Sequence, residues 1–304
     1  MQKSSKHAVV TGGAGFIGAH LTEALIERGW DVDVIDTLIS GKREHVHPKA
    51  RFHEIDVRDA DALLPLMIGA DCVFHLAALP SVEQSIQYPK ETHEVNCTGT
   101  LNVLHAAKEG GAKRLVYSAS CAAYGDQEST PFHEGLAAKP LSPYALQKYI
   151  GEEYARMYAE LHALPTVSLR YFNVYGPRQN PTGPYASVLG RFLVQKGEGK
   201  PLTITGDGEQ TRDFTHVRDV VAANILAAES DQVGRGEVIN IGSGRNVSIN
   251  DLAALFGGPV VHIPARQEIR DALADNTRAR EMLGWSPKVL FEDGVNELLR
   301  EAGF

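Results

Sequence analysis

His7-Ala-Val-Val-Thr-Gly-Gly-Ala-Gly-Phe-Ile-Gly18 decides how the rest of the chain is read. Its first five residues form a short apolar run suited to a buried strand, and a helical pattern from about Phe16 to Arg28 follows the glycines. Gly12 permits a tight turn, Gly15 lets the backbone approach a pyrophosphate, and Gly18 lets the helix pack closely on the sheet. The helix N-terminus, at Phe16 and Ile17, adds amide donors. A glycine run by itself is an ordinary strand-to-helix turn; the G-x-x-G-x-x-G spacing between strand and helix predicts dinucleotide binding. Asp36 ends the next β-branched run, 18 residues beyond Gly18. A carboxylate there accepts from both ribose hydroxyls and repels a 2′-phosphate, favouring NAD over NADP. A strand-terminal turn aspartate would look the same.

Outward from this unit, strands and helices alternate. Strands are expected at Asp31–Asp36, Arg51–Asp56, Ala70–Leu76, Arg114–Ser118 and Thr166–Arg170, with helices at about Glu91–Glu109 and Tyr144–His162. Strands separated by such helices pair in parallel through right-handed crossovers. The expected fold class is α/β, a Rossmann-type doubly wound parallel sheet with a smaller mixed α/β C-terminal substrate domain. Gly176-Pro177, Asn180-Pro181 and Gly183-Pro184 mark the change of texture. The expected division is 1–174 plus about 213–242 for the NAD-binding domain, and 175–212 with 243–304 for the nucleotide-sugar domain.

The chain has 304 residues, 43% hydrophobic and 22% charged, with a formal net charge of −8. That composition is globular, and its sign argues against nucleic acid or an anionic membrane as partner. No apolar run approaches the ~18 residues that would span a bilayer. Cys72, Cys97 and Cys121 show no metal-ligand spacing, so no metal is expected, and they read as reduced small hydrophobes of a cytoplasmic protein. The polar stretch before His7 carries no signal-peptide pattern.

Ser142-Pro-Tyr144-Ala-Leu-Gln-Lys148 carries the chemistry. Tyr144 and Lys148, four apart, face the same way on a helix. An ammonium beside a phenol lowers its pKa and prepares it for proton exchange at a hydroxyl-bearing carbon. Such pairs are common on exposed helices. Here, however, Ser118-Ala-Ser120-Cys-Ala-Ala-Tyr124-Gly125 follows a strand and puts a hydroxyl at the carboxyl end of the sheet, where ligands gather. Asp56 and Val57 end the third strand, where an adenine edge would lie. Ser118 either bonds the cofactor or simply finishes its strand. His75 reads as a satisfied core histidine, and Tyr124 and Tyr171 as packing residues or cofactor walls.

These motifs, with His75-Leu-Ala-Ala78, Asn96-x-x-Gly99-Thr100, Arg170-Tyr-Phe-Asn173-Val-Tyr-Gly-Pro177 and Gly206-Asp-Gly-x-Gln-Thr-Arg212-Asp-Phe, resemble the extended short-chain dehydrogenases/reductases. Within them the chain is similar to bacterial and archaeal UDP-glucose and UDP-N-acetylglucosamine 4-epimerases. The resemblance implies that Tyr144, as phenolate, takes the proton of the sugar 4-hydroxyl. Lys148 would hold the phenolate charge and the nicotinamide ribose, and Ser120 would hydrogen-bond the reacting oxygen. It further implies that Leu76, Ala77, Ala78, Asn96, Ser118 and Tyr171 border a tightly held NAD. Asn173, Val188, Arg212, and Arg266 or Arg270 would then meet the UDP-sugar.

The same resemblance narrows the chemistry. Dehydratases of this group carry Asp-Glu after the Ser120 position, and decarboxylases a glutamate two residues before the Tyr124 position; here Cys121 and Ala122 stand there. The alternatives are another nucleotide-sugar enzyme (reductase, dehydratase or decarboxylase) or a non-catalytic NAD-binding regulatory protein. Ala272, two residues before Ala274-Asp275, matches a gatekeeper against the sugar C2 substituent, and its small size implies room for an N-acetyl group. The resemblance implies a homodimer too, and Ala145, Tyr149, Ala155 and Tyr158 either supply part of its face or pack on the sheet.

Overall fold

The computed structural model describes residues 5–182, 187–265 and 269–304. In chain order, the first half contains β1 (His7–Thr11), α1 (Phe16–Glu27), β2 (Asp31–Ile35), β3 (Arg51–His53), α2 (Ala60–Met67) and β4 (Cys72–His75). It continues with α3 (Val82–Gln87), α4 (Pro89–His93), a π turn (Glu94–Thr98), α5 (Gly99–Glu109), β5 (Leu115–Ser120), α6 (Pro143–His162) and β6 (Thr166–Tyr171). Beyond these lie β7 (Val174–Tyr175), α7 (Val188–Gly197), β8 (Leu202–Thr205), β9 (Thr211–Asp213), β10 (Thr215–His216) and α8 (Val217–Glu229). The chain ends through β11 (Arg235–Ile241), β12 (Asn246–Ser248), α9 (Ile249–Phe256), β13 (Val260–Ile263), α10 (Thr277–Leu283) and α11 (Phe291–Glu301).

Seven strands make one parallel sheet in the order β11-β6-β5-β4-β1-β2-β3. The order reverses direction at β1, between β4 and β2, which is where a doubly wound sheet opens a crevice at the strands' carboxyl ends. β4 is buried at every residue, and β1 and β2 at four of five. Sheets covered by helices on both faces demand such unbroken apolar runs. One core joins α1 and α8 to one face (Leu21, Leu25, Val220, Ile239). A second joins α2, α5 and α6 to the other (Leu63, Val103, Leu104, Ala155).

A third core, around Phe192, Phe214, Phe256 and Phe291, gathers α7, α9 and α11 with the short strand pairs β13–β8 and β12–β9. The segment from 213 re-enters the main sheet through β11, hydrogen-bonded along β6. One part of the expected division is corrected. Ala279, Leu283 and Trp285 pack into the core beside α8 and β11, so the α10 stretch belongs with the main sheet although it lies beyond residue 243. Its anchor is specific: Trp285 Nε1 donates to the Asp219 carbonyl at 2.9 Å. Two helices, α2 and α3, were not anticipated, since Pro65 and a polar six-residue segment hide them.

Candidate active site

The glycine turn does what its spacing demands. Gly12 sits at φ +72°, and a Cβ on it would lie 2.7 Å from the backbone nitrogen of Ala77. A Cβ on Gly18 would lie 2.1 Å from the Gly12 carbonyl oxygen, so any side chain there would push α1 off the turn. Gly15 is different: a Cβ would touch Gly12 alone, at 3.2 Å, and Gly15 lines the cleft. α1 begins at Phe16 with no side-chain cap and no acidic residue in its first turn. Its uncapped amides therefore meet the cleft as an anion site, and the residues present fit a dinucleotide pyrophosphate.

That cleft encloses about 640 Å³. Gly12, Gly15, Phe16, Ile17, Gly18, Asp36, Asp56, Val57, Leu76, Ala77, Ala78, Ser118, Ser120, Tyr144, Lys148, Tyr171 and Asn173 all line it. Asp36 accepts from the backbone amides of Ala14 (3.0 Å) and Leu38 (2.8 Å), which fixes its carboxylate at the rim. Asp56 is held by Arg58, whose guanidinium lowers its pKa, so this carboxylate is engaged within its own turn. Asn96 is the exception. It is 1% exposed, does not line the cleft, and spends its amide on Leu79 and Gln147. These bonds make it an internal brace between the Leu79 backbone and Gln147.

The reacting groups converge where α6 meets the end of β5. Ser142 Oγ caps α6 by accepting from Ala145 N at 3.1 Å, with Pro143 in the first helical position. Gly151 lets the helix settle on Tyr117, since a Cβ there would lie 2.2 Å from the phenol oxygen. Lys148, 4% exposed, donates to Ser118 Oγ at 3.3 Å and sits 4.7 Å from the centre of the Tyr117 ring. Burial lowers its pKa to about 7. Burial pushes the Tyr144 phenol up to about 12, against the lowering hydrogen bond from Ser120. Desolvation outweighs that hydrogen bond. Ser120 ends β5 and accepts from Ala122 N at 3.2 Å.

His75 is the core histidine expected: fully buried, bonded to Thr11 and Thr100 hydroxyls at 2.7 and 2.9 Å, its pKa lowered by burial to about 3. Tyr124 and Tyr171 are buried with their hydroxyls on Asn240 (2.7 Å) and Asn224 (2.9 Å), and Tyr171 walls the cleft.

A second cleft of about 220 Å³ adjoins the first through Asn173, which lines both. Asn173 takes φ +29°, a value asparagine tolerates, and donates to the Asp213 carbonyl at 3.0 Å. Val188 and Arg212 line this cleft, with Arg191, Gln210 and Phe214 beside them. Arg212 is oriented by the carbonyls of Thr211 (2.8 Å) and Arg270 (3.1 Å). Arg270 itself is exposed, 3.6 Å from Asp207 across the surface, and lines neither cleft. Arg266 lies outside the described residues. Ala272 is the residue expected against the sugar C2 substituent. It is 5% exposed, packed behind Tyr124, Phe132 and Phe172, and lines neither cleft.

Sequence reasoning missed Lys42, His45 and Arg178, which line the larger cleft, and Arg191 in the smaller. Arg178 follows Gly176-Pro177, a pair read as a breaker; the cation next to it was the available signal. Arg191 sits one turn beyond Ser187, which caps α7 through Gly190 N at 3.2 Å.

Residues 8–242 match the NAD dependent epimerase/dehydratase family. The chain belongs to that family. It is an extended short-chain dehydrogenase/reductase of the UDP-sugar epimerase group, with NAD as cofactor. It is 38% identical to the UDP-glucose 4-epimerase of Thermotoga maritima, solved with UDP-glucose, at a TM-score of 0.91 covering 97% of this chain and 99% of that one. It is 36% identical to the UDP-N-acetylglucosamine 4-epimerase of Methanobrevibacter ruminantium, solved with UDP-N-acetylmuramic acid, at a TM-score of 0.91 covering 98% and 100%. A UDP-N-acetyl-alpha-D-glucosaminuronate decarboxylase of Bacillus cytotoxicus is 36% identical over 317 residues, 97% of each chain. Family members of different chemistry therefore resemble this one about equally.

Proposed function

We propose that this protein inverts the C4 hydroxyl of UDP-hexoses through a transient 4-keto sugar, keeping NAD bound throughout. The observation that carries the reading is the convergence of Ser120, Tyr144 and Lys148 in the cofactor cleft, which shares Asn173 with the arginine-lined second cleft. Diphosphate held by Arg191 and Arg212 would put the sugar beside the Tyr144 phenol. Tyr144 takes the proton of the 4-hydroxyl and returns it on the other face, Ser120 orients the reacting oxygen, and Lys148 balances the charge. NAD, when bound, supplies the acceptor for the C4 hydride and gives it back.

Elimination and decarboxylation fit less well. Among the described residues lining the two clefts the carboxylates are Asp36 and Asp56, both on the β2–β3 side of the sheet, away from Tyr144. Cys121 and Ala122 line the cleft next to Ser120, and the Cys121 thiol is pushed up to about 11 by burial, so it offers no ready proton carrier. The sugar's C2 substituent is left open by the buried position of Ala272. The reading extends to a homodimer in the cytoplasm. Incubation with UDP-Glc, UDP-Gal, UDP-GlcNAc and UDP-GalNAc, without added NAD, followed by separation of products, tests it. Interconversion within a pair supports the proposal; a pentose or deoxysugar product overturns it.

A further inference from the structure

Arg212 meets the smaller cleft, yet its aim is set from outside that cleft. Along β9 the side chains alternate: Arg212 lines the cleft, whereas Thr211 and Asp213 turn to the segment 271–274. At one end of that segment Ala274 N donates to Asp213 Oδ2 at 3.0 Å. At the other, Asp271 Oδ1 accepts from the Thr211 hydroxyl at 2.6 Å and from the Thr211 backbone N–H at 3.2 Å. The same N–H donates to the Arg270 carbonyl at 3.0 Å, and that carbonyl accepts from Arg212 Nη1 at 3.1 Å. Asp271 thus closes a ring of bonds that runs through Thr211, Arg270 and Arg212.

Both carbonyls that orient Arg212 belong to this ring. The Thr211 carbonyl accepts from Arg212 Nη1 at 2.8 Å and from Ala272 N at 3.3 Å. A hydroxyl donating to a carboxylate is charge-assisted and roughly twice as strong as a neutral pair, so the Thr211–Asp271 bond is the firm member. Arg270 adds no second hold there, since its exposed guanidinium points to Asp207 at 3.6 Å. Asp271 and Thr211 line neither cleft, so their route to a ligand is through Arg212.

We propose that Asp271 is a positioning residue for the diphosphate site: its carboxylate clasps Thr211 and holds the Arg270 carbonyl where it fixes the Arg212 guanidinium. The inference rests on the reading of Arg212 as a UDP-sugar ligand for its binding and kinetic arms alone. A guanidinium held in place before the ligand arrives loses less rotamer freedom on binding, and that saving appears as affinity. The diphosphate is held alike before and during the reaction, so the gain belongs to binding and not to the chemical step.

Asp271→Ala, Thr211→Val and the conservative Asp271→Asn test it in the NAD-loaded protein. Asp271→Ala should raise KM for the UDP-hexose, and the Kd for UDP by calorimetry, by roughly 3–10-fold with kcat kept. Asp271→Asn retains an acceptor oxygen and should recover most of that loss. Thr211→Val removes the hydroxyl alone and should reproduce part of it. In an Arg212→Leu background Asp271→Ala should add nothing, because the clasp acts through the guanidinium. The Nε–Hε NMR signal of Arg212, assigned by its disappearance in Arg212→Leu, should report faster guanidinium rotation in Asp271→Ala. A KM increase that persists in full without Arg212, or a loss confined to kcat, would overturn the proposal. So would unchanged Arg212 rotation accompanied only by a lower melting temperature. Should Asp271→Ala fail to fold, Thr211→Val decides by the same readings. A wild type that neither epimerises nor binds UDP would defeat the functional reading, while the Arg212 rotation would still judge this one.

Discussion

Lys148 Nζ donates to Ser118 Oγ at 3.3 Å, and this hydroxyl, with the Tyr117 ring face, is what the ammonium has in place of water. That is weak solvation for a charge, which is why burial lowers its pKa to about 7. The folded value lies below the unfolded one, so protonating Lys148 opposes folding. The penalty is complete below about pH 7, shrinks as pH rises above it, and vanishes near the ordinary lysine value of ~10.4. Lys148→Met should therefore raise the melting temperature at pH 6, with the gain fading toward pH 10, while epimerisation is lost. Thermal unfolding at both pH values checks this, and a melting temperature at or below wild type at pH 6 would count against it.

Tyr144→Phe removes the proposed proton acceptor and nothing from the cleft wall. We expect kcat to drop by ~10²–10⁴-fold, the usual worth of a positioned general base, with NAD content and circular dichroism unchanged. Wild-type turnover in this variant would reassign the proton transfer.

Arg212 lines the smaller cleft and is aimed by two backbone carbonyls. Hydrogen bonds to a charged partner contribute ~1.5–3 kcal/mol, so Arg212→Leu should raise KM for the UDP-hexose by roughly 10–100-fold. Because the diphosphate is held alike before and during reaction, kcat should change far less. Initial rates across substrate concentration separate the two, and a loss confined to kcat would place Arg212 elsewhere in the mechanism.

The proposed homodimer would use another face of α6. Ala145, Ala155 and Tyr158 are buried within the protomer, whereas Leu146, Met157 and Leu161 of α6 stand 46%, 41% and 67% exposed. Their spacing of eleven and four residues keeps them on one side of the helix, with Ile150 between. The double substitution Met157→Glu with Leu161→Glu should convert a dimer to monomer by light scattering at micromolar concentration. A wild type that is already monomeric would remove the proposal.

Asp33 accepts from Arg51 (2.9 and 2.7 Å) and is bonded to His7 and His53 at 2.7 Å, linking β1, β2 and β3. Burial works against its charge, yet these partners hold its carboxyl well below the usual range. A lowered folded pKa gives stability that is present above the unfolded carboxylate value of ~3.9 and is lost as pH falls below it. Asp33→Asn should lower the melting temperature at pH 7 and narrow its difference from wild type below pH 4. An equal difference at both pH values would show that packing, not charge, makes the contribution.

The main sheet was legible because each buried strand is an apolar run and the first turn is fixed by glycines whose absent side chains are geometrically required. The glycine cradle, Asp36 and the Ser120, Tyr144 and Lys148 group could be found for the same reason: local spacing determines them. What was not legible depends on contacts between distant segments. Asn96 reads as a cleft residue in a motif, but its destination is set by Leu79 and by Gln147, 51 positions away. Ala272 was aligned to a sugar contact, while its burial is decided by Tyr124, Phe132 and Phe172. Helix spacing likewise reports the pairing of Tyr144 with Lys148 but not the burial that raises the Tyr144 pKa.

The central claim is that the C4 hydride leaves the sugar and returns to it within one closed site. UDP-galactose carrying deuterium at C4, incubated with the purified protein in ordinary water without added NAD, tests this most directly. The account expects UDP-glucose that keeps the deuterium at an inverted C4. UDP-glucose with the label washed out to solvent, or no C4 epimer at all, would contradict it.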